Sequence, residues 1–530
     1  MSRDDPSKEF SFSSYFSVST TADSSGTNDE FNPFDSDSYS SYTYTSIKTS
    51  DIDYDASAGR VNFKAPGYYL VVFSFTTTLS NTTLITGRIK VNGSDVLTSP
   101  KLAQVHSAAT QAEFTLHALV EINECDYLEA TIEVDPDATD SYTATAQNGT
   151  HLTLLRSNGD FGNILYTADA NAAGGSGDEF IIGDADNGGT IASALNKNTS
   201  SFDSVTYDSG TGKFTNTNTR KFLMLSTLIP TVTATGDITG SLYANNSKIL
   251  DLETRAVQTS PTQDPYEMSI GLLKILTAGQ TCSARSQHSS NSIAISKGSA
   301  FTVFDISYFG VDPGAYLSLS TAALTNALSG GDKICFDSGE YSSYSQTNHL
   351  TAASITYTAD GGTFVVANAG AYFILWNLSI SAATGSGVRT VKILNGSTEI
   401  YNSPWVVHTA EDPQEKTICL IVEASADDSF TFVVNDVNGK IHNGTTITMF
   451  KVDNLREVEH VYEESLCGRW PPSDLISDDF TFNRYSPDNL GRQHSVVDTK
   501  QTPFILGMPG PLSLRGRLNA PSSGTGDKKN

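Results

Sequence analysis

One pattern of about twenty-four residues occurs three times along this chain: "IDYDASAGRVNFKAPGYYLVVFSF" from residue 52, "VTYDSGTGKFTNTNTRKFLMLSTL" from residue 205 and "ITYTADGGTFVVANAGAYFILWNL" from residue 355. The register between the copies is constant. Tyr54, Tyr207 and Tyr357 are offset by 207−54=153 and 357−54=303 residues. The same two offsets carry Gly59 onto Gly212 and Gly362, Tyr69 onto Phe222 and Tyr372, and Asn92 onto Asn245 and Asn395. Self-similarity at a fixed period marks repeated structural units, so the chain has to fold as three copies of one module.

The copies extend in both directions. "NDEFNPFD", "GDEFIIGD" and "GDKICFDS" align as an early strand, and each copy closes on a glycine and a last strand, "NGTHLTLLRS", "KGSAFTVFDIS" and "NGTTITMFKVD". The units are therefore 10–156, 163–308 and 315–452, after a flexible 1–9. Within a unit, Val61 and Phe63, then Tyr69, Val71 and Phe73, alternate at period two, as strands with one face buried do. Asn-Gly, Asp-Gly-Gly and Ser-Gly turns separate short strands. The fold class is all-β: three tandem antiparallel sandwiches or barrels plus an extended irregular C-terminal arm. Only "GTIASALNKN" and "STAALTNALSGG" read as helical.

Composition agrees. Of 530 residues, 38% are hydrophobic and only 17% charged, with Tyr, Phe, Thr, Ser and Gly abundant, a balance that favours sheets over helix bundles. The net charge of −26 offers no positive field to draw in phosphates, so nucleic acid is excluded as a partner. The five cysteines are scattered, with no CxxC pair, so buried free thiols are expected rather than a zinc site or disulfide framework. The start, MSRDDPSKEFSFSSYF, has no apolar run of a signal peptide, and no stretch of about 18 apolar residues would insert in a membrane.

The block "YDASAGRVNFKAPGYYLVVFSF", an "xVNG" strand and a closing Gly-Thr-x-Leu strand resemble the globular head of complement component one-q, within the tumour necrosis factor superfamily. Tyr54, Gly59, Phe63 and Pro66-Gly67-Tyr68 carry the resemblance in copy one. Copy three keeps Gly370 and Tyr372 with Ala369 for the proline, and copy two has Thr219-Arg220 and keeps neither. The resemblance implies that each sandwich is a ten-stranded jelly roll, and it implies threefold association with Tyr and Phe side chains packed along the axis; the aligned Tyr54, Tyr207, Tyr357, Tyr69, Phe222 and Tyr372 are expected in the core of each repeat. It also implies partner binding by exposed loops, no chemistry, and calcium near the trimer apex in some members. The threefold would be either a homotrimer or a single-chain pseudo-trimer.

Motifs of catalysis are few. None of the nine histidines falls in an HExxH or CxxH spacing. Gly210-Thr-Gly-Lys213 resembles a phosphate loop, but it lacks the first Gly and has Phe214 where Ser or Thr is needed, so it reads as a hairpin turn. "GDADNGG" and "DPDATD" are acidic loops. Asp184 and Asp186 are the calcium candidates, although no Glu closes the loop. No Gly-x-Ser-x-Gly elbow is present, and no enzymatic activity or other cofactor is expected. Eight Asn-x-Ser/Thr sequons, Asn377 among them, are expected to be incidental in a chain this rich in Ser, Thr and Asn.

Residues 453–530 carry seven of the 18 prolines, which block both ladder and helix. They also carry spaced apolar residues: Trp470, Phe480, Phe482, Tyr485, Phe504, Leu506, Leu512 and Leu514. A plain linker would be Gly/Ser-rich, so this segment is expected to be an arm anchored on another protein. Together these features point to a virion structural component assembled in a host cytoplasm: a capsid decoration, vertex, spike or fibre protein that stabilises the particle, binds other virion proteins through the arm and contacts a host glycan or receptor. The alternatives are a secreted-type receptor- or glycan-binding ligand and a tail-spike glycan hydrolase.

Overall fold

The computed structural model describes residues 14–452, apart from 28–29, 40–43, 80–82, 104–110, 135–142, 158, 168–178, 185–192, 198–204, 233–235, 257–263, 266, 290–292, 308–315, 322–331, 342–343, 352, 383–386, 408–413 and 436–438, together with 482–484 and 495–497. The chain divides into 1–465 and 466–530.

The first repeat is built on β1 (Tyr15–Thr20), β2 (Tyr44–Lys48), β3 (Ile52–Asp55), β4 (Arg60–Phe63), β5 (Gly67–Leu79), β6 (Thr83–Val91), β7 (Ser94–Ala103), β8 (Gln111–Ile122), β9 (Tyr127–Val134) and β10 (His151–Arg156). The second uses β11 (Phe161–Leu165), β12 (Ser193–Lys197), β13 (Val205–Asp208), β14 (Lys213–Asn216), β15 (Arg220–Leu228), β16 (Gly236–Ala244), β17 (Ser247–Ala256), β18 (Met268–Leu276), β19 (Thr281–His288) and β20 (Ala300–Asp305). The third uses β21 (Tyr316–Thr321), β22 (Gln346–Thr351), β23 (Ile355–Thr358), β24 (Thr363–Val366), β25 (Gly370–Ala382), β26 (Gly387–Asn395), β27 (Thr398–Val407), β28 (Gln414–Ala424), β29 (Ser429–Asn435) and β30 (Thr446–Lys451).

Each repeat forms two antiparallel sheets in one order. In the first repeat they run β2-β1-β10-β5-β8 and β3-β4-β9-β6-β7; the second has β12-β11-β20-β15-β18 and β13-β14-β19-β16-β17, the third β22-β21-β30-β25-β28 and β23-β24-β29-β26-β27. First and last strands lie side by side in one sheet and the chain crosses repeatedly between the two sheets, which is the double Greek key of a jelly roll. The early strands align too. Glu30–Phe31, Phe180–Ile181 and Lys333–Ile334 pair with β9, β19 and β29. Among the described residues no ladder joins one repeat to another.

Alternation makes each sandwich. Val61 and Phe63 face inward from β4, and with Tyr69, Val71 and Phe73 they belong to the first core. The third core holds Trp376, Phe364 and Phe432, the second Phe214, Phe222 and Met224. At about 1.5–3 kcal/mol per fully buried apolar side chain, each repeat has a core of its own.

Two sequence expectations change. Ser193–Lys197, inside "GTIASALNKN", is strand β12 on the edge of β11. Five residues cannot pack a helical face, whereas a free sheet edge supplies partners for every backbone group. Cys282, Cys335 and Cys419 are buried free thiols as expected, but Cys125 is exposed and disulfide-bonded. It sits at a left-handed turn position, φ 67°, shared with Gly279 and Asp427 in the other repeats. "STAALTNALSGG" lies outside the described residues beyond Thr321. In the 466–530 unit, Phe482–Arg484 pairs antiparallel with Ser495–Val497. Trp470, Phe480, Tyr485, Phe504, Leu506, Leu512 and Leu514 lie outside the described residues.

Candidate functional site at the seams between repeats

Strands β8, β18 and β28 are the edges of the first sheet of each repeat. Their pairing with β5, β15 and β25 (Ile122 opposite Gly67, Leu276 opposite Arg220, Ala424 opposite Gly370) puts positions 122, 276 and 424 in register. Even-numbered β8 residues such as Phe114 and Leu116 enter the sandwich core. The alternate residues point out of it, and the three edge strands approach one another within 8 Å. The outward residues form successive layers with one member per repeat: Leu119, Leu273 and Ile421; His117, Gly271 and Cys419; Thr115, Ser269 and Thr417; Glu113, Glu267 and Glu415. All but Glu113 are buried or side-chain-less.

The apolar end of this axis is a fourth core, distinct from the three sandwich cores. Leu70, Val72 and Leu119 meet Leu223, Leu225 and Leu273, and Phe373, Leu375 and Ile421. The aligned Tyr69, Phe222 and Tyr372 are not among these residues. They lie inside their own sandwiches, fully buried, and the Tyr69 and Tyr372 hydroxyls donate to the carbonyls of Ala65 and Asn368 at 3.0 and 2.7 Å. The axial positions are their neighbours in sequence. A strand buried on both faces reads as a near-continuous apolar run, and "YYLVVFSF", "KFLMLSTL" and "AYFILWNL" carried that signal.

Toward the polar end each edge strand is cradled by the next repeat. An edge strand's outward N–H and C=O groups must be paired if buried. On β28, Cys419 N–H donates to His151 Nε2 at 3.0 Å and Ile421 N–H to Ser17 Oγ at 3.2 Å. In return Thr153 Oγ1 donates to Cys419 O at 2.7 Å and Ser74 Oγ to Thr417 O at 3.0 Å. On β18 the third repeat does the same work: Gly271 N–H donates to Asn377 Oδ1 at 3.0 Å, Leu273 N–H to Ser318 Oγ at 3.2 Å, and Asn377 Nδ2 to Ser269 O at 3.0 Å. On β8, His117 Nδ1 and Thr227 Oγ1 are 2.7 Å apart. The third repeat thus docks into the first, the second into the third and the first into the second. Such head-to-tail contacts close into a ring.

The seams differ by an exchange of bulk at one layer. His151, Ala300 and Thr446 occupy one position, opposite Ser74, Thr227 and Asn377. His151 meets small Cys419, Thr446 donates to Gly271 O at 3.2 Å, and on the remaining seam His117 meets Thr227, the residue paired with small Ala300. Each seam has one bulky polar side chain at that height, because a close-packed interior has room for one.

The closing glycines are seam residues as well. Gly149, Gly298 and Gly444 have φ of 82°, 90° and 85°. A Cβ on them would meet the outer edge strand of a neighbouring repeat at 2.6 Å (Asn402 O), 2.8 Å (Thr98 O) and 1.8 Å (Asp251 O). Lys416 spans the third and first repeats, 3.3 Å from Glu113 and donating to Thr76 Oγ1 at 2.8 Å.

Burial acts on the histidines here. It lowers His117 to about 3 and His151 to about 4; the Gly149 carbonyl raises His151 slightly and Lys416 lowers it further.

The other residues singled out from the sequence stand apart from the seams. Tyr54, Tyr207 and Tyr357 brace one turn in each repeat, donating to the carbonyls of Phe34 (3.0 Å), Gly183 (2.6 Å) and Phe336. Asp184 is buried beside the Gly212 turn; Asp186 and "DPDATD" lie outside the described residues, and no group of three metal-ligating side chains occurs among the described ones. Gly210–Lys213 is a hairpin turn, with Gly212 at φ 62°. Asn377 is fully buried, so its sequon accepts no glycan in the folded chain.

The architecture defines a class: an all-β chain of three jelly rolls closed head to tail. No protein-family model and no curated protein matches it. Among solved structures it is similar to murine APRIL, at 13% identity over 27% of this chain and 98% of that one, with a TM-score of 0.19. It is also similar to the Eiger TNF of S. frugiperda, at 9% identity over 27% of this chain and 97% of that one, with a TM-score of 0.20. Likeness this low bears no weight; the strand order given above is what defines the jelly roll.

Proposed function

We propose that this chain is a non-enzymatic structural and attachment protein that supplies a complete threefold knob from one polypeptide, and that it serves as a surface, vertex, spike or fibre component of a virion. The observation that carries this reading is the closed ring itself. The edge strands β8, β18 and β28, where another copy could pair, are each covered by a repeat of the same chain, so other partners would be met on the outer surface. The arm from 453 onward is the element assigned to other virion proteins. The decisive experiment is mass spectrometry of purified particles, in which the chain is expected at stoichiometric abundance; its absence would sink the virion reading.

Two further outcomes follow. Native mass spectrometry of the isolated protein should give one chain, 56.7 kDa, and a trimer would reject the single-chain ring. A chain ending at residue 452 should keep its three jelly rolls folded, because each repeat has an apolar core of its own. Its incorporation into particles should be lost; normal occupancy would clear the arm of an anchoring role.

A second reading, an exported ligand for receptors or glycans, draws support from the disulfide at Cys125, since such bonds persist in oxidising compartments. A glycan array, with a hydrolysis assay beside it, separates that reading and a glycan hydrolase from a shell protein.

A further inference from the structure

We propose that His151 is an acid-sensitive latch that holds the third repeat against the first. The geometry assigns its proton. Cys419 N–H can only donate, so His151 Nε2 at 3.0 Å carries no hydrogen. The hydrogen sits on Nδ1, donated to Gly149 O at 3.0 Å. The imidazole is thus a neutral bridge between the backbone of one repeat and the edge strand of another. A second proton has to go on Nε2, where it opposes the Cys419 N–H. That bond is broken, and two donors face each other in a fully buried site.

Among the described residues nothing packed around the ring compensates the charge. From the third repeat, Tyr401 stands edge-on at 5.7 Å and its hydroxyl donates to the same Gly149 carbonyl at 2.8 Å. Lys416 adds a positive charge on β28, and Glu113 lies against Lys416. Glu415 accepts from Ser269 N–H and Thr417 Oγ1. From the first repeat the neighbouring strands offer Ser19 and Ser74, both uncharged. The other seam histidines are built differently. His349 Nε2 meets the Ser320 hydroxyl at 2.8 Å, and a hydroxyl can turn to accept. His117 Nδ1 meets the Thr227 hydroxyl in the same way. Of these three, His151 alone faces a backbone N–H, which cannot turn.

The sign follows. A histidine held at about 4 in the fold, against an ordinary 6.5, favours the neutral form when folded. The latch is at full strength above pH 6.5 and weakens as pH falls toward 4. Release would free β28 from Ser17, Ser74 and Thr153 and expose axial residues such as Leu70, Phe373 and Ile421.

The test is hydrogen exchange by mass spectrometry on the full chain from pH 7 to pH 4, corrected for the intrinsic pH dependence of exchange. Protection of the peptide covering 414–424 should fall at least tenfold, ahead of the peptides covering 111–122 and 268–276. In H151Q, whose amide oxygen can accept from Cys419 N–H but does not titrate in this range, the fall should disappear. If H151Q loosens over the same pH interval as the natural chain, the latch is elsewhere. Should H151Q fail to fold, the order of the three peptides in the natural chain decides: simultaneous loss, or loss first at 111–122 or 268–276, overturns the proposal.

Discussion

Replacing Gly444 with alanine is expected to destabilise the ring by about 2–5 kcal/mol. Two costs add. At φ 85° an L-residue sits in the left-handed region, at a cost of about 1–2 kcal/mol. The new Cβ would also stand 1.8 Å from Asp251 O and 2.8 Å from Asp251 C. Those are backbone atoms of β17 in the second repeat, so no rotamer change relieves the clash, and overpacking of this kind costs roughly 1–3 kcal/mol. G149A and G298A should follow with smaller losses, because their nearest approaches are 2.6 and 2.8 Å. Gly396 provides the control: its φ is 57°, and nothing lies within 4 Å of where its Cβ would stand, so G396A should incur only the backbone cost. Urea midpoints for the four variants check the ranking. A G444A protein as stable as G396A would show that the closing glycine is a turn residue and not a seam residue.

Asn377→Leu is expected to cost about 1–3 kcal/mol although it puts an apolar side chain of similar size into a buried site. The Asn377 amide accepts from Gly271 N–H and Thr446 Oγ1, both at 3.0 Å, and donates to Ser269 O at 3.0 Å and Thr417 Oγ1 at 2.7 Å. Leucine removes all four bonds. The hydroxyls can turn elsewhere and Ser269 C=O also accepts from Thr417 Oγ1 at 3.3 Å, but Gly271 N–H is a backbone donor on an edge strand inside the ring. Each buried polar group left without a partner costs roughly 1–3 kcal/mol. Thermal unfolding followed by calorimetry should show the loss, with exchange protection falling first on 268–276. A change below about 1 kcal/mol would mean that β18 finds other partners or water.

Much of this architecture could be read from residues alone because a jelly roll is specified locally. The period-two runs around Val61, Phe63 and Tyr69, the Asn-Gly and Asp-Gly-Gly turns, and the constant offsets among Tyr54, Tyr207 and Tyr357 each report a strand or turn within a few residues of itself. The helical reading of "GTIASALNKN" failed because a five-residue strand depends on the neighbouring edge of β11, which lies some thirty residues earlier. The glycine that closes each copy was visible as a repeat feature, but its reason was not. Gly444 is small because Asp251 of another repeat stands against it.

By itself the sequence determined the number of modules, their strand pattern, and which residues alternate into each sandwich, since periodicity and turn chemistry act between near neighbours. Only the tertiary structure decided what the alternate residues do. Leu70 and Tyr69 are adjacent in one apolar run, and nothing in that run says which faces its own core and which the shared axis. His117 and Thr227, His151 and Cys419, and Thr446 and Gly271 meet across seams that join positions at least 110 residues apart. Complementarity of that kind belongs to no single segment, because the free volume and the unpaired edge N–H groups it satisfies exist only once three folded repeats have met.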